Sequence, residues 1–163
     1  MLSMGIDPGI ALTGYGIVKE YNGSLKLVTY GCIRTSKNED TCQRLLKIYQ
    51  SLREVMVQFG PDSAAVEELF FNKNVRSAFQ VGEARGVALL AAAHAGLETF
   101  EYTPLQVKQS VVGYGRAAKN QIQEMVKLML NINHPIKPDD AADALALAIC
   151  HCHSRVLKMK GIL

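Results

Sequence analysis

The first third of the chain alternates short apolar runs with turn residues, a pattern typical of consecutive β-strands. Residues 2–7, 13–21 and 25–34 are rich in apolar and β-forming side chains, and the turn pairs Pro8-Gly9 and Asn22-Gly23 separate them. An Asn-Gly pair between two such runs is a strong signal for a tight hairpin. This part of the sequence therefore predicts three antiparallel strands.

The next segment changes from strand spacing to helical spacing. Apolar side chains recur every three or four positions over residues 40–59, and Gly60-Pro61 ends the pattern. The short apolar segment "DSAAVEEL" follows at residues 62–69. A strand that returns after a helical crossover usually lies parallel to its neighbour with both faces covered. We therefore expect a buried parallel strand at this point.

The second half of the chain has mainly helical patterns. An Ala-rich helix is predicted over residues 77–96, followed by a last strand in "LETFEYT". Thr103 and Pro104 then provide a favourable N-cap and first helical residue. The remainder is predicted to be helical, apart from "VVGYGRA" and "NHPIKPDD". An antiparallel meander followed by alternating helix and strand predicts an α/β fold, in which helices cover a mixed sheet.

The composition indicates the size of the protein and the cellular environment in which it folds. With 163 residues, 48% hydrophobic and 20% charged, the sequence predicts one globular domain over residues 1–163. No run approaches the roughly 18 apolar residues that cross a bilayer, and the N-terminus lacks a signal-peptide pattern. We therefore expect a cytoplasmic protein that makes no membrane contact and has four reduced cysteines. The net charge of +3 permits an anionic partner but does not identify one.

Carboxylates stand at the ends of several predicted elements. They are Asp7 after the first strand, Glu67 and Glu68 after the fourth, and Asp139, Asp140 and Asp143 at the start of the last helix. Asp140 and Asp143 share one face of a helix whose other residues are almost all apolar. Two carboxylates about 4 Å apart repel by about 4 kcal/mol at an effective dielectric near 20, so buried ones must take up protons or bind a cation. Oxygen ligands without a His or Cys array suit Mg²⁺ or Mn²⁺.

Most of these acids also have an ordinary structural interpretation. Asp139 is best explained as an N-cap or a first-turn acid that stabilises the helix dipole. Glu68 is explained as a solvated residue on the opposite side of the strand, and Asp7 as a turn residue before Pro8. Asp143 is the hardest to explain in this way, because it lies one turn too late to cap the helix. Spacing alone does not choose between Glu67 and Glu68, or between Asp139 and Asp140.

Five motifs together are more specific than any of these acids alone. "GIDPGIALTGYG", "VEELFFNKN", "GEARGVALLAA", "VKQSVVGYGRAAKNQI" and "DDAADALALAICH" occur in this order along nearly the whole chain. They resemble the bacterial RuvC Holliday-junction resolvases. The resemblance implies an α/β fold of the ribonuclease H-like type, with a mixed five-stranded sheet flanked by helices. It also implies that residues 1–163 form a single nuclease domain.

The resemblance implies which acids bind metal. Carried over by motif, the catalytic and metal-binding residues are Asp7, Glu67, Asp140 and Asp143. Two Mg²⁺ ions per active site, or Mn²⁺ in their place, are expected when DNA is bound; they would activate a water and stabilise the leaving oxygen of a phosphodiester. The expected reaction is a pair of symmetric nicks in a four-way DNA junction, leaving 5′-phosphate and 3′-hydroxyl ends. The family resemblance further suggests a branch-migration helicase complex as a partner.

Symmetric cutting needs two active sites, which a two-fold homodimer supplies. We expect the helix at residues 77–96 to form the dimer surface, because small residues permit close helix packing. These residues are Gly82, Gly86, Ala91 and Ala92. The alternative is that this helix packs only on its own sheet.

The resemblance also implies contacts with DNA around the acids. Lys108 and Lys119 match family positions associated with DNA phosphates and activity, although a solvated surface is the usual environment of a lysine. Phe70 matches an aromatic residue thought to stack on unpaired bases, a contact worth about 1 to 3 kcal/mol. The expected DNA-binding residues are Phe70, Phe71, Lys73, Arg76, Lys108, Arg116 and Lys119.

Other interpretations remain open from the sequence. "CHCH" at residues 150–153 is a poor zinc site, because successive helical residues point in different directions and no second ligand pair has zinc-site spacing. "DPGIALTG" also resembles the phosphate loop of sugar kinases and actin-like ATPases, although those proteins need a second such domain. A catalytically inactive DNA-binding module and a nuclease that acts on RNA are further alternatives.

Overall fold

The computed structural model describes residues 1–68 and 75–159, with side chains for residues 1–68 and 78–155. In chain order the strands and helices are β1 (Leu2–Asp7), β2 (Leu12–Tyr21), β3 (Ser24–Arg34), α1 (Thr41–Phe59), β4 (Ser63–Glu67), α2 (Val75–His94), β5 (Glu98–Tyr102), α3 (Pro104–Val112), α4 (Lys119–Leu130) and α5 (Asp139–Met159). The predicted α/β order is therefore confirmed.

The five strands form one mixed sheet in the order β3-β2-β1-β4-β5. β1 to β3 are antiparallel, and β4 and β5 run parallel to β1. The predicted hairpin is confirmed: Asn22 and Gly23 both adopt positive φ, at 51° and 82°. Such a turn matches the twist of the two strands that it joins. β1 is central, and Ile6 pairs with Val66 of β4. The next residues along these parallel strands, Asp7 and Glu67, therefore leave the sheet at the same edge.

Helices cover both faces of the sheet, as predicted. One apolar cluster joins α1 and α2 to the sheet, and the other joins α3, α4 and α5 to the opposite face. The ends of α1 follow its sequence signals: Asp40 accepts a hydrogen bond from the Gln43 N–H at 3.0 Å, and Gly60 ends the helix with φ 57°. Thr103 caps α3 by accepting from the Gln106 N–H at 3.1 Å.

Helix α5 lies directly on the backbone of β1 and β2. A Cβ atom at Gly5 would clash with the carbonyl oxygen of Ala144, and one at Gly14 would clash with the carbonyl oxygen of Asp140. Only glycine permits this approach of helix to strand. The two glycines therefore fix the distance between the start of α5 and the end of β1, where Asp7 lies.

The Ala-rich helix α2 begins and ends two residues earlier than predicted. Ala91 and Ala92 are fully buried in the apolar cluster of their own chain, together with Ala84 and Ala88. The expectation that Ala91 and Ala92 lie on a dimer surface is therefore wrong for this pair, because they pack on their own sheet. Gly86 is exposed, with open space beside it. All four cysteines are free thiols. Within residues 1–68 and 75–159, no helix combines the length and the apolar character that crossing a membrane requires.

Candidate active site

Three of the four predicted acids line one cleft. Its volume is about 240 Å³, and its charged lining consists of Asp7, Glu67 and Asp143 together with Lys108 and Lys119. An apolar wall completes the cleft, formed by Pro104, Val107, Ile122, Ala146 and Leu147. Acids that are up to 136 positions apart in sequence therefore meet at one edge of the sheet.

Each acid is held by a different element. Asp7 ends β1 and Glu67 ends β4, and the parallel pairing of these strands brings them side by side. Asp143 lies in the first turns of α5, which rests on β1 and β2. Lys108 comes from α3 and Lys119 from the first turn of α4. The cleft is thus formed only when the sheet and three helices are assembled.

Burial and mutual repulsion raise the pKa values of these acids. The pKa of Asp7 rises from 3.8 to about 7, mainly because burial penalises its charge, and then because of Asp143, Glu67 and Asp140. Burial is also the largest cause that raises the pKa values of Glu67 and Asp143. Lys119 lowers the pKa values of all three acids. The cluster therefore holds excess negative charge, which protonation or a nearby cation relieves.

Lys119 provides one such cation. Its Nζ donates to Oδ2 of Asp143 at 2.8 Å and lies 3.8 Å from Oδ2 of Asp139. The hydrogen bond to Asp143 is the largest cause that raises the pKa of Lys119. The ammonium group is therefore positive over the range of pH at which the acids ionise.

The donor chemistry of the cleft fits a hard divalent cation. Asp7, Glu67 and Asp143 offer only carboxylate oxygens, which Mg²⁺ and Mn²⁺ prefer. Within the described part of the chain, no three His, Cys, Asp or Glu side chains already stand in a metal-binding arrangement. Oδ2 of Asp143 accepts a hydrogen bond from Lys119 instead. A cation bound to Asp143 would share this carboxylate with the ammonium group of Lys119.

The structure distinguishes the neighbouring acids that spacing left open. Glu67 is half-buried in the cleft, whereas Glu68 is exposed and its backbone N–H donates to the Tyr102 carbonyl at 2.9 Å. Asp139 is the first residue of α5, so it is a first-turn acid rather than the N-cap. Lys137, whose Nζ is 3.2 Å from Oδ1 of Asp139, is the main cause that lowers the pKa of Asp139. Asp140 does not line the cleft, but its charge raises the pKa values of Asp7 and Asp143.

The structure describes the side chains of three predicted DNA-binding residues and not those of the other four. Lys108 and Lys119 line the cleft, and Arg116 is exposed on the segment that joins α3 to α4. The side chain of Arg76 lies outside the described residues, although its backbone belongs to α2. The remaining three, Phe70, Phe71 and Lys73, lie outside the described part of the chain.

The "CHCH" segment has a structural role. His151 is buried, and its ring nitrogens bond the hydroxyl groups of Ser63 at 2.9 Å and Tyr102 at 2.7 Å. Cys150 and Cys152 are also buried, and His153 bonds Ser110 at 3.1 Å. These contacts join α5 to β4, β5 and α3.

Arg85 is a supporting residue that the sequence patterns did not identify. Its guanidinium donates from Nε to the backbone carbonyl of Glu67 at 3.2 Å and pairs with Glu101 at 2.5 Å. Arg85 therefore ties α2 to the ends of β4 and β5 and fixes the backbone that carries Glu67. The motif "GEARG" contains this residue, but nothing in its local pattern reveals the contact.

Comparison with known proteins decides the family. A family model described as "Crossover junction endodeoxyribonuclease RuvC" matches residues 3–151. The chain belongs to the RuvC family. RuvC proteins of Alkaliphilus metalliredigens and Moorella thermoacetica are 56% and 55% identical to it, over 94% and 93% of this chain and 94% and 90% of theirs. Membership confirms the resemblance and makes the chain a crossover junction endodeoxyribonuclease.

Solved RuvC structures share the same architecture. Thermus thermophilus RuvC "in complex with Holliday junction substrate" superposes with a TM-score of 0.91 at 37% identity, covering 96% of both chains. The yeast mitochondrial resolvase Ydc2 superposes with a TM-score of 0.68 at 14% identity, which shows a common fold. The predicted ribonuclease H-like fold is therefore confirmed. The kinase-like interpretation of "DPGIALTG" is wrong, because the whole chain belongs to the RuvC nucleases.

Proposed function

We propose that this protein resolves four-way (Holliday) DNA junctions by metal-dependent hydrolysis of phosphodiesters. The proposed products are paired symmetric nicks with 5′-phosphate and 3′-hydroxyl ends. The single observation that carries the proposal is the convergence of Asp7, Glu67 and Asp143 with two lysines in one cleft. The Thermus relative, whose structure contains a Holliday junction, supports this choice of substrate.

The proposed metal ligands are Asp7, Glu67, Asp140 and Asp143. Asp140 is included because its charge acts on Asp7 and Asp143, although it stands outside the cleft lining. When bound, two Mg²⁺ ions, or Mn²⁺ in their place, would supply an activated water and stabilise the leaving oxygen. The chain itself contributes carboxylates in fixed positions, because each of these acids belongs to a strand or a helix (β1, β4 or α5) rather than to a loop.

The basic residues of the cleft are proposed to bind the DNA backbone. Lys108 and Lys119 stand next to the acids and would offset phosphate charge where cleavage occurs. Arg116 extends this positive surface from the exposed segment before α4. Binding through phosphates is salt-sensitive, because it releases counterions. The proposed contacts of Phe70, Phe71, Lys73 and Arg76 with the junction rest on the family resemblance.

We also propose a two-fold homodimer that presents two active sites to the junction. Helix α2 offers a suitable surface, since Phe79 and Leu90 are 71% and 60% exposed. Gly86 lies between them at helical spacing with open space beside it, so that a second helix can approach closely. A branch-migration helicase complex is a further proposed partner. Because bacterial chromosomal DNA lies in the cytoplasm, the proposed substrate implies that location.

The proposal is tested by incubating the protein with a labelled four-way junction or a linear duplex of the same sequence, in Mg²⁺ or in EDTA. We expect paired nicks in the junction only, in Mg²⁺ only, and none with Asp7→Asn. Equal cutting of the linear duplex would refute junction specificity. Junction binding without cutting in either Mg²⁺ or Mn²⁺ would instead favour the inactive DNA-binding module.

A further inference from the structure

Lys119 stands between two carboxylates of helix α5. Its Nζ lies 2.8 Å from Oδ2 of Asp143, inside the cleft, and 3.8 Å from Oδ2 of Asp139. Asp139 and Asp143 are four residues apart, so they occupy neighbouring turns on one face of the helix. Asp139 does not line the cleft. Lys119 therefore has one close partner in the cleft and a second, slightly more distant partner at its edge.

The second partner is already oriented toward Lys119. Lys137 Nζ lies 3.2 Å from Oδ1 of Asp139, which leaves Oδ2 of the same carboxylate on the side of Lys119. Charge-assisted N–H···O bonds are about 2.7 to 2.9 Å long, so a shift of about 1 Å in Nζ would complete a bond to Asp139. The side chain of Lys119 is 55% exposed and can make this shift without backbone movement.

A divalent cation bound to Asp143 would compete with Lys119 for the same carboxylate. Asp143 is one of the proposed metal ligands, and its Oδ2 currently accepts from the ammonium group. A cation that binds Asp143 repels the ammonium group and weakens Asp143 as its acceptor. This repulsion favours a movement of Lys119 toward Oδ2 of Asp139, which is 3.8 Å away and does not line the cleft.

We propose that Asp139 is a positioning residue for Lys119: it receives the ammonium group when a divalent cation takes Asp143, and it keeps the group at the cleft edge. The inference rests on the proposed metal-dependent function. It gives a role to an acid that the site chemistry otherwise leaves unused. It also explains how a cation can enter a cleft in which Lys119 already pairs with Asp143.

The proposal predicts opposite effects of the two side chains on metal affinity without DNA. Lys119→Met removes the competitor, so we expect Mn²⁺ to bind about five-fold to ten-fold more tightly. Asp139→Asn removes the second partner, and exposed ion pairs are weak, so we expect Mn²⁺ to bind about two-fold to five-fold more weakly. In Lys119→Met, the added Asp139→Asn substitution should change the affinity much less, because no ammonium group remains to be received.

The experiment measures Mn²⁺ binding by the loss of the electron paramagnetic resonance signal of the free ion, in all four variants of this cycle. Glu124→Gln is the matched control, since it removes an exposed, lysine-paired acid elsewhere on the surface. Thermal unfolding in EDTA checks that every variant folds, and Lys119→Gln replaces Lys119→Met if the latter does not. An equal loss of affinity from Asp139→Asn in both backgrounds would overturn the inference, because Asp139 would then act only as a charge. If the wild-type protein binds no Mn²⁺ without DNA but cuts the junction in Mn²⁺, the inference fails while the proposed function stands.

Discussion

Replacing Asp7 by asparagine is expected to stabilise the metal-free protein while abolishing cleavage. Asp7 is the acid whose pKa is raised to about 7, chiefly by burial and next by Asp143. A raised folded-state pKa means that the folded protein holds the proton more tightly than the unfolded chain does. The stabilising effect of protonation is complete below the unfolded pKa and is lost as pH rises through the folded one. Ionised Asp7 therefore destabilises the metal-free fold at and above neutral pH.

The magnitude follows from the width of this window. The pKa rises from 3.8 to about 7, and each pH unit within the window corresponds to about 1.4 kcal/mol. Ionisation of Asp7 thus lowers the free energy of unfolding by at most about 4 kcal/mol. Asparagine has a similar shape and no charge, so the variant avoids this loss. We expect its advantage over wild type to grow by about 2 to 3 kcal/mol between about pH 5 and about pH 8.

The assay is urea unfolding of both proteins in EDTA across this pH range. Asp139→Asn is the control, because Lys137 lowers the pKa of Asp139 and the ionised form therefore favours the folded state. This control should gain nothing at high pH. Added Mg²⁺ should reduce the advantage of Asp7→Asn, since binding to the native wild type stabilises it by mass action. An advantage that does not change with pH would refute the electrostatic reasoning.

Three further substitutions test other parts of the structure. Gly5→Ala should lower the free energy of unfolding by about 1 to 3 kcal/mol and reduce cleavage, because the new methyl group pushes α5 away from β1. His151→Phe should destabilise the protein by about 2 to 4 kcal/mol in urea, because it leaves the buried hydroxyls of Ser63 and Tyr102 without this partner. The exposed His134→Phe should stay within about 0.5 kcal/mol of wild type, which identifies burial rather than histidine loss as the cause. Arg85→Met should lower kcat about five-fold to ten-fold, since the Glu67 backbone loses a charge-assisted bond, with junction affinity unchanged in a gel-shift assay.

Local signals explain why the elements were predictable. The hairpin required only Asn22-Gly23, the end of α1 followed from Gly60, and the start of α3 followed from Thr103. Each of these residues either forms a hydrogen bond with a backbone group or turns the backbone, within four positions of itself. The two-sided covering of the sheet followed from the order of strands and helices. Such features do not depend on distant parts of the chain.

The site was predictable only in part. Placing acids at strand ends and helix starts identified a small set, and the family resemblance selected Glu67 over Glu68 within it. The contact of Arg85 with the Glu67 carbonyl and the pairing of Lys119 with Asp139 join residues about 20 positions apart on different elements. These contacts depend on how the helices lie on the sheet, and the spacing of apolar residues along the sequence does not specify that arrangement. For the same reason, the presence of small side chains in α2 did not show whether they lie on an external surface or, as Ala91 and Ala92 do, in the core.

The placement of the acids has a consequence for protein synthesis. Asp7 leaves the ribosome early, whereas Asp143 belongs to the last helix. A nascent chain that ends before α5 carries half of the carboxylates and has no surface against which to organise them. Since the proposed metal ligands are divided in this way, we expect no nuclease chemistry until α5 docks on the sheet.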